Sequence, residues 1–138
     1  MSQYIDKEEK YDRLYQDALK LRDSGHPEES LRALSSLIGI DDESDARVLV
    51  VMGTIYLESK DFIEAVNLYK KAVELKPRDP LASLGLFHSL ANARQEKDAF
   101  AELRRFLSIS ESDEHFRLIE EMRDAFDENE EVETGRTS

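Results

Sequence analysis

Residues 46–79 read ARVLVVMGTIYLESKDFIEAVNLYKKAVELKPRD, and this stretch decides the fold. Its first half places apolar or small residues at the spacing i, i+3, i+4 and i+7, which is typical of one helix face. These residues are Leu49, Met52, Gly53 and Tyr56. A polar break at residues 59–61 separates this segment from a second helical pattern that carries Ala65, Tyr69 and Ala72. The second pattern ends at Lys76-Pro77, because proline cannot continue a helix. The stretch therefore predicts a helical hairpin.

The hairpin resembles the tetratricopeptide repeat (TPR) in the identity and spacing of its residues. In that family a large apolar residue, Leu-Gly, Tyr, Ala, an aromatic residue, Ala and Pro recur at set offsets within about 34 residues. The chain fills nearly all of these positions with Leu49, Met52-Gly53, Tyr56, Ala65, Tyr69, Ala72 and Pro77. The resemblance implies an all-α fold, a right-handed superhelical array of about seven antiparallel helices. It also implies a protein-binding module that is not an enzyme.

A fainter copy of the pattern lies on either side, so we expect three repeats. The first spans 11–45 and the third 80–110, around a second repeat at 46–79. The first copy carries Leu14, Ala18, Leu21, Ser30, Leu34 and Leu37, and the third carries Leu90, Ala99, Leu103 and Phe106. Ser24-Gly25-His26 is predicted to form the first turn, with Pro27 at the start of the next helix. Asp79-Pro80 is predicted to cap and begin the fifth helix.

The register of the third repeat has two solutions. On a strict 34-residue spacing, Phe87 falls where the family has glycine or alanine for close helix approach. A register built on Leu81, Leu84-Gly85 and His88 fits the first helix better, but it needs a turn two residues longer. The sequence does not choose between them.

The two ends of the chain complete the predicted array. Residues 1–10 are expected to extend the first helix. Residues 111–128 are expected to form a capping helix with an apolar stripe, since the last repeat of an array has no neighbour to bury it. The stripe consists of Phe116, Ile119, Met122 and Phe126. Residues 129–138 are acidic and lack apolar anchors, which predicts a disordered tail.

The formal charge of −12 is concentrated at the C-terminal end. Residues 1–110 carry 20 acidic and 16 basic side chains, whereas residues 111–138 carry 11 and 3. Such a chain is expected to avoid nucleic acid and anionic membranes and to favour a basic partner. No apolar run is long enough to span a bilayer, and the N-terminus lacks the pattern of a secretory signal. Cysteine is absent, so the chain is expected to be cytoplasmic.

No motif for catalysis, cofactor binding or metal binding is recognisable. His26, His88 and His115 lie far apart without the spacing of metal ligands. The acidic run 41–45 lacks the glycine and glutamate that a calcium loop needs at its sixth and twelfth positions. We interpret that run as a helix N-terminus whose carboxylates interact favourably with the helix dipole. We therefore predict no enzyme activity, no cofactor and no metal.

The TPR resemblance implies a concave groove lined by the first helix of each repeat. The groove residues that it implies are Tyr15, Leu19, Arg22, Arg47, Val50, Val51, Thr54, Leu57, Leu81, Leu84 and His88. This set is apolar enough to predict a bound segment, because monomers rarely leave such a surface open. One TPR class grips terminal carboxylates with Lys, Arg and Asn. At the matching places this chain has Tyr15, Leu19, Val51, Leu81 and Gly85, which argues against such a clamp.

The groove could be filled by any one of three occupants. A foreign peptide that is apolar, amphipathic or basic would make the chain an adaptor or chaperone-like module. A second copy would make it a self-associating scaffold, a homodimer. The third occupant is the chain's own N-terminal segment, with Tyr4 and Ile5 folded inward. An acidic immunity-type inhibitor of a basic partner belongs to the same binding class as the adaptor.

Overall fold

The computed structural model describes residues 6–109, 120, 121 and 124. Residues 6–109 form six α-helices and no strand. The helices are α1 (Lys7–Asp23), α2 (Pro27–Ser35), α3 (Asp42–Glu58), α4 (Phe62–Leu75), α5 (Pro80–Asn92) and α6 (Glu96–Ile109). They pair as three consecutive hairpins, and α4 packs on α5 to join the second hairpin to the third. The all-α array predicted from the sequence is confirmed.

Parts of three predictions lie outside the described residues. These are the capping helix at 111–128, of which only Glu120, Glu121 and Asp124 are described as helical, and the acidic tail at 129–138. The placement of Tyr4 and Ile5 in the groove is the third. Six helices are therefore described where about seven were predicted.

Aspartate side chains begin most of the helices. Asp6, Asp41, Asp61 and Asp79 each accept a backbone N–H from the first turn of the following helix. Pro27 and Pro80 stand in the first turns of α2 and α5, where a missing N–H costs nothing. Asp41 caps α3 by accepting from Ser44 N at 2.7 Å, so the acidic run at 41–45 is a helix start, as interpreted from the sequence.

The turn inside each hairpin repeats the same hydrogen bonds. His26 N donates to Leu21 O at 2.8 Å, Asp61 N to Tyr56 O at 2.9 Å, and Gln95 N to Leu90 O at 2.9 Å. Each turn has three residues, and the middle one has a positive φ: 85° at Gly25, 65° at Lys60 and 62° at Arg94. These positions are spaced by 35 and 34 residues. The turn after α5 is thus no longer than the others, which supports the strict register for residues 80–110.

Two glycines hold α3 and α5 close to the ring of Tyr69. A Cβ atom at Gly53 would lie 2.9 Å from Tyr69 Cε2, and one at Gly85 would lie 2.1 Å from Tyr69 Cε1. The phenol oxygen lies 2.6 Å from Thr54 Oγ1, and burial raises the Tyr69 pKa. Phe87 occupies the place equivalent to Gly53 and is itself fully buried. In α5, the residue that approaches an aromatic ring closely is therefore Gly85 and not Phe87. The TPR resemblance had implied a groove position for Gly85.

A buried carboxylate joins α6 to α5 and to the loop before it. Glu102 is 6% exposed and accepts from Ser83 Oγ at 2.7 Å. Arg105 donates to both Glu102 oxygens, through Nε at 2.6 Å and Nη2 at 2.7 Å. The remaining amino group, Nη1, donates to Pro77 O at 2.9 Å. This network holds the α4–α5 loop in place.

Ser83 and Ser89 provide a matched pair of buried hydroxyls on α5. Both are fully buried, but Ser89 Oγ has no hydrogen-bond partner among the described residues. Ser89→Ala removes an unpaired polar group and adds helix propensity, so we expect it to raise the free energy of unfolding by about 1 kcal/mol. Ser83→Ala breaks the bond to Glu102 and is expected to lower it. Urea unfolding followed by circular dichroism compares the two, and a loss of stability in Ser89→Ala would contradict the prediction.

Candidate functional site

A groove of about 840 Å³ opens between α1, the N-terminal half of α3 and the start of α5. The α4–α5 loop closes one side. We call this surface the groove. It is lined by Tyr15, Asp41, Glu43, Ser44, Ala46, Arg47, Val50, Val51, Lys76, Arg78, Asp79 and Leu81.

Five of the eleven predicted groove residues line this surface. They are Tyr15, Arg47, Val50, Val51 and Leu81. The other six do not line it. Leu57 and Leu84 pack against the core between α4, α5 and α6, and Thr54 bonds to Val50 O and Tyr69. Arg22 bonds to Asp23 at 3.0 Å. Leu19 is half-buried on α1.

His88 lies on α5 and is also half-buried. Its Nε2 atom is 3.9 Å from Glu121 Oε1, which is too long for a hydrogen bond. Burial lowers the pKa of His88, and the nearby Glu121 carboxylate opposes this effect. Burial thus favours the neutral form of the imidazole.

Tyr11, Tyr15 and Arg47 form a stack along the α1 side of the groove. The two rings are parallel within 6°, with centroids 6.3 Å apart. The Arg47 guanidinium lies 4.6 Å from the Tyr15 centroid and 5.7 Å from that of Tyr11. Burial raises the Tyr15 pKa, and a hydrogen bond with Tyr11 raises the Arg47 pKa. The contacts between the cation and the two rings hold these side chains in place, so that a bound chain can pack against them. We call this stack the aromatic wall of the groove.

The charged residues of the α4–α5 loop and of the start of α3 line the groove but were not predicted from the sequence to do so. Lys76, Arg78 and Asp79 come from the loop, and Asp41, Glu43 and Ser44 come from the helix start. The signal for the loop was the run Lys76-Pro77-Arg78-Asp79, which was interpreted only as the end of one helix and the cap of the next. Its position next to α3 depends on how α4 packs on α5, and no local pattern encodes that.

The described residues contain neither a group of side chains arranged to hold a metal ion nor a helix able to cross a membrane. The groove offers apolar surface, an aromatic wall and charges of both signs.

Residues 46–79 match the family model described as Tetratricopeptide repeat. Residues 46–79 are a tetratricopeptide repeat. The matched residues comprise most of α3, all of α4 and the loop that follows α4, and TPR hairpins are protein–protein interaction modules. The comparison with curated proteins found no match. We infer from the shared turn geometry that the α1–α2 and α5–α6 hairpins are repeats of the same kind.

Proposed function

We propose that this protein is an adaptor or chaperone-like module whose groove holds an amphipathic segment of another protein. The groove itself carries the proposal. Val50 and Val51 are half-buried, and Leu81 is 59% exposed beside them. A bound segment would cover this apolar surface and contact the aromatic wall of Tyr15 and Arg47.

The expected affinity is moderate. Fully covering an exposed leucine contributes about 1.5–3 kcal/mol, and ordering a flexible segment offsets part of that gain. We expect dissociation constants on the order of micromolar for a short peptide. The cysteine-free composition supports our further proposal that the module works in the cytoplasm.

Leu81→Glu tests this proposal, and Ile63→Glu is its matched control. The two side chains are 59% and 58% exposed, so neither substitution should unfold the protein. Only Leu81 lines the groove, since Ile63 lies on α4 outside it. Peptides selected on the full chain from a random display library are expected to bind Leu81→Glu at least about tenfold more weakly than wild type.

The control separates loss of the groove from general damage. Ile63→Glu should bind the selected peptides with wild-type affinity, as measured by fluorescence anisotropy. Peptides that bind Leu81→Glu as tightly as wild type would refute the proposal. Val51 and Leu84 are less suitable positions, because both pack against the core and a charge there would lower stability.

The alternative occupant is a second copy of the chain. The same exposed Leu81 favours it, because an apolar side chain at a groove edge can meet its symmetry mate. In that case sedimentation would show a dimer that forms with rising concentration and that Leu81→Glu dissociates. A monomer at all concentrations excludes this alternative.

A further inference from the structure

We propose that the groove selects an acidic amphipathic segment, with apolar side chains flanked by side-chain carboxylates. This inference rests on the proposed function and specifies the chemistry of its ligand. It reverses the expectation from the net charge of the chain, which favoured a basic partner. The reason lies in which of the groove charges are already engaged.

Two of the three groove carboxylates are engaged as helix caps. Asp41 accepts from Ser44 N at 2.7 Å, and Asp79 accepts from Leu81 N at 3.0 Å. The bonds to Ser44 lower the Asp41 pKa. Their negative charge is thus partly compensated by the N-termini of α3 and α5.

The cations of the α4–α5 loop are not engaged in this way. Lys76 and Arg78 are exposed, and neither forms an ion pair with any described residue. The loop backbone is held by Arg105, which donates to Pro77 O, and by the bond from Asp79 N to Lys76 O. The backbone that carries the two charges is therefore already ordered, which reduces the entropy lost on binding.

The remaining pair of charges on α3 is roughly balanced. Glu43 and Arg47 line the groove with opposite charges, so together they add no net charge to it. The net result is a groove with an excess of available positive charge on its loop side.

The acidity of the whole chain does not contradict this inference. Residues 1–110 have a net charge of only −4, and the other −8 belongs to residues 111–138. Charges farther away than about 10 Å are largely screened at ordinary ionic strength, whereas groups in contact are screened much less. The contact charges therefore determine the sign of the ligand.

The test compares two synthetic peptides with identical apolar residues and either Glu or Lys at every flanking position. Both are acetylated and amidated, so that neither presents a terminal carboxylate. We expect the Glu peptide to bind the full-length wild-type chain about tenfold more tightly than the Lys peptide. The double variant Lys76→Glu/Arg78→Glu should remove or invert this preference. Rising salt should weaken binding of the Glu peptide to wild type.

The control is the double variant Lys70→Glu/Lys71→Glu. It makes the same change in net charge on exposed positions of α4 outside the groove, and it should keep the preference. Equal or tighter binding of the Lys peptide to wild type would overturn the inference. A Glu peptide that does not bind the wild-type chain at all would also overturn it.

The outcomes separate this inference from the proposed function. If the Lys peptide binds better and Leu81→Glu abolishes its binding, the groove is a binding site but the inferred ligand charge is wrong. If neither peptide nor any library peptide depends on Leu81, the proposed function itself is wrong.

Discussion

Gly85→Ala is expected to lower the free energy of unfolding by about 2 kcal/mol or more, although alanine is the better helix former. The added methyl carbon would lie 2.1 Å from Tyr69 Cε1 and 2.4 Å from Cδ1, far inside van der Waals contact. Overpacking a core costs about 1–3 kcal/mol and occasionally more, whereas the gain in helix propensity is about 1 kcal/mol. The clash should outweigh the propensity.

The ring of Tyr69 cannot move away to relieve the clash. Its opposite edge faces Gly53, where a Cβ would already be 2.9 Å away, and its hydroxyl is bonded to Thr54. The chain contains no tryptophan, so urea unfolding followed by far-ultraviolet circular dichroism is the suitable measurement.

Gly53→Ala is the matched control for Gly85→Ala. Its contacts of 2.9–3.0 Å are less severe than the 2.1 Å contact at Gly85, so we expect a smaller loss of stability than for Gly85→Ala. Tyr69→Leu should reduce the cost of Gly85→Ala in a double-mutant cycle. A Gly85→Ala protein as stable as wild type would show that α5 is not held against this ring.

Glu102→Ala is expected to lower the free energy of unfolding by about 3 kcal/mol. The substitution removes the acceptor of Ser83 and of two Arg105 donors at once. Breaking a buried ion pair by deleting one partner costs about 3–5 kcal/mol. The lower end applies here, because the Arg105 side chain is 32% exposed and can interact with water instead.

Two variants on the same helix check that this effect comes from the network. Glu102→Gln keeps an oxygen for Ser83 but loses the charge, so about 1–2 kcal/mol is expected. Asp98→Ala removes an exposed carboxylate from the first turn of α6 and should change stability by at most about 1 kcal/mol. If Glu102→Ala is no worse than Asp98→Ala, the network contributes nothing to stability. The urea midpoints of all three variants give the comparison.

Glu102 is a residue important for stability that was not predicted from the sequence. It lies three residues after Ala99 and four before Phe106, on the apolar stripe of α6, and it stands where the preceding hairpin has Leu68. A charged residue at an apolar position was the available signal. Its partner Ser83 is 19 residues away, and Arg105, which also bonds Glu102, reaches Pro77 over 28 residues, separations too long for any helical spacing to reveal.

The helices, their caps and the spacing of the hairpins were predictable from the sequence by itself. Each depends on neighbours within one or two helical turns: the apolar period around Gly53, the aspartate and proline at Asp79-Pro80, and the turn at residues 59–61. These local preferences are strong enough to determine the hairpin fold, and they led to the TPR assignment.

Only the tertiary structure decided which surfaces meet. It placed Gly85 against Tyr69, brought the loop at 76–79 beside Arg47, and left Leu81 exposed at the groove. It also showed that Lys76 and Arg78 form no ion pair with the residues that the structure describes. The physical reason is that packing angles and the local balance of charge arise from contacts between helices. A net charge of −12 averages over the chain and cannot report them.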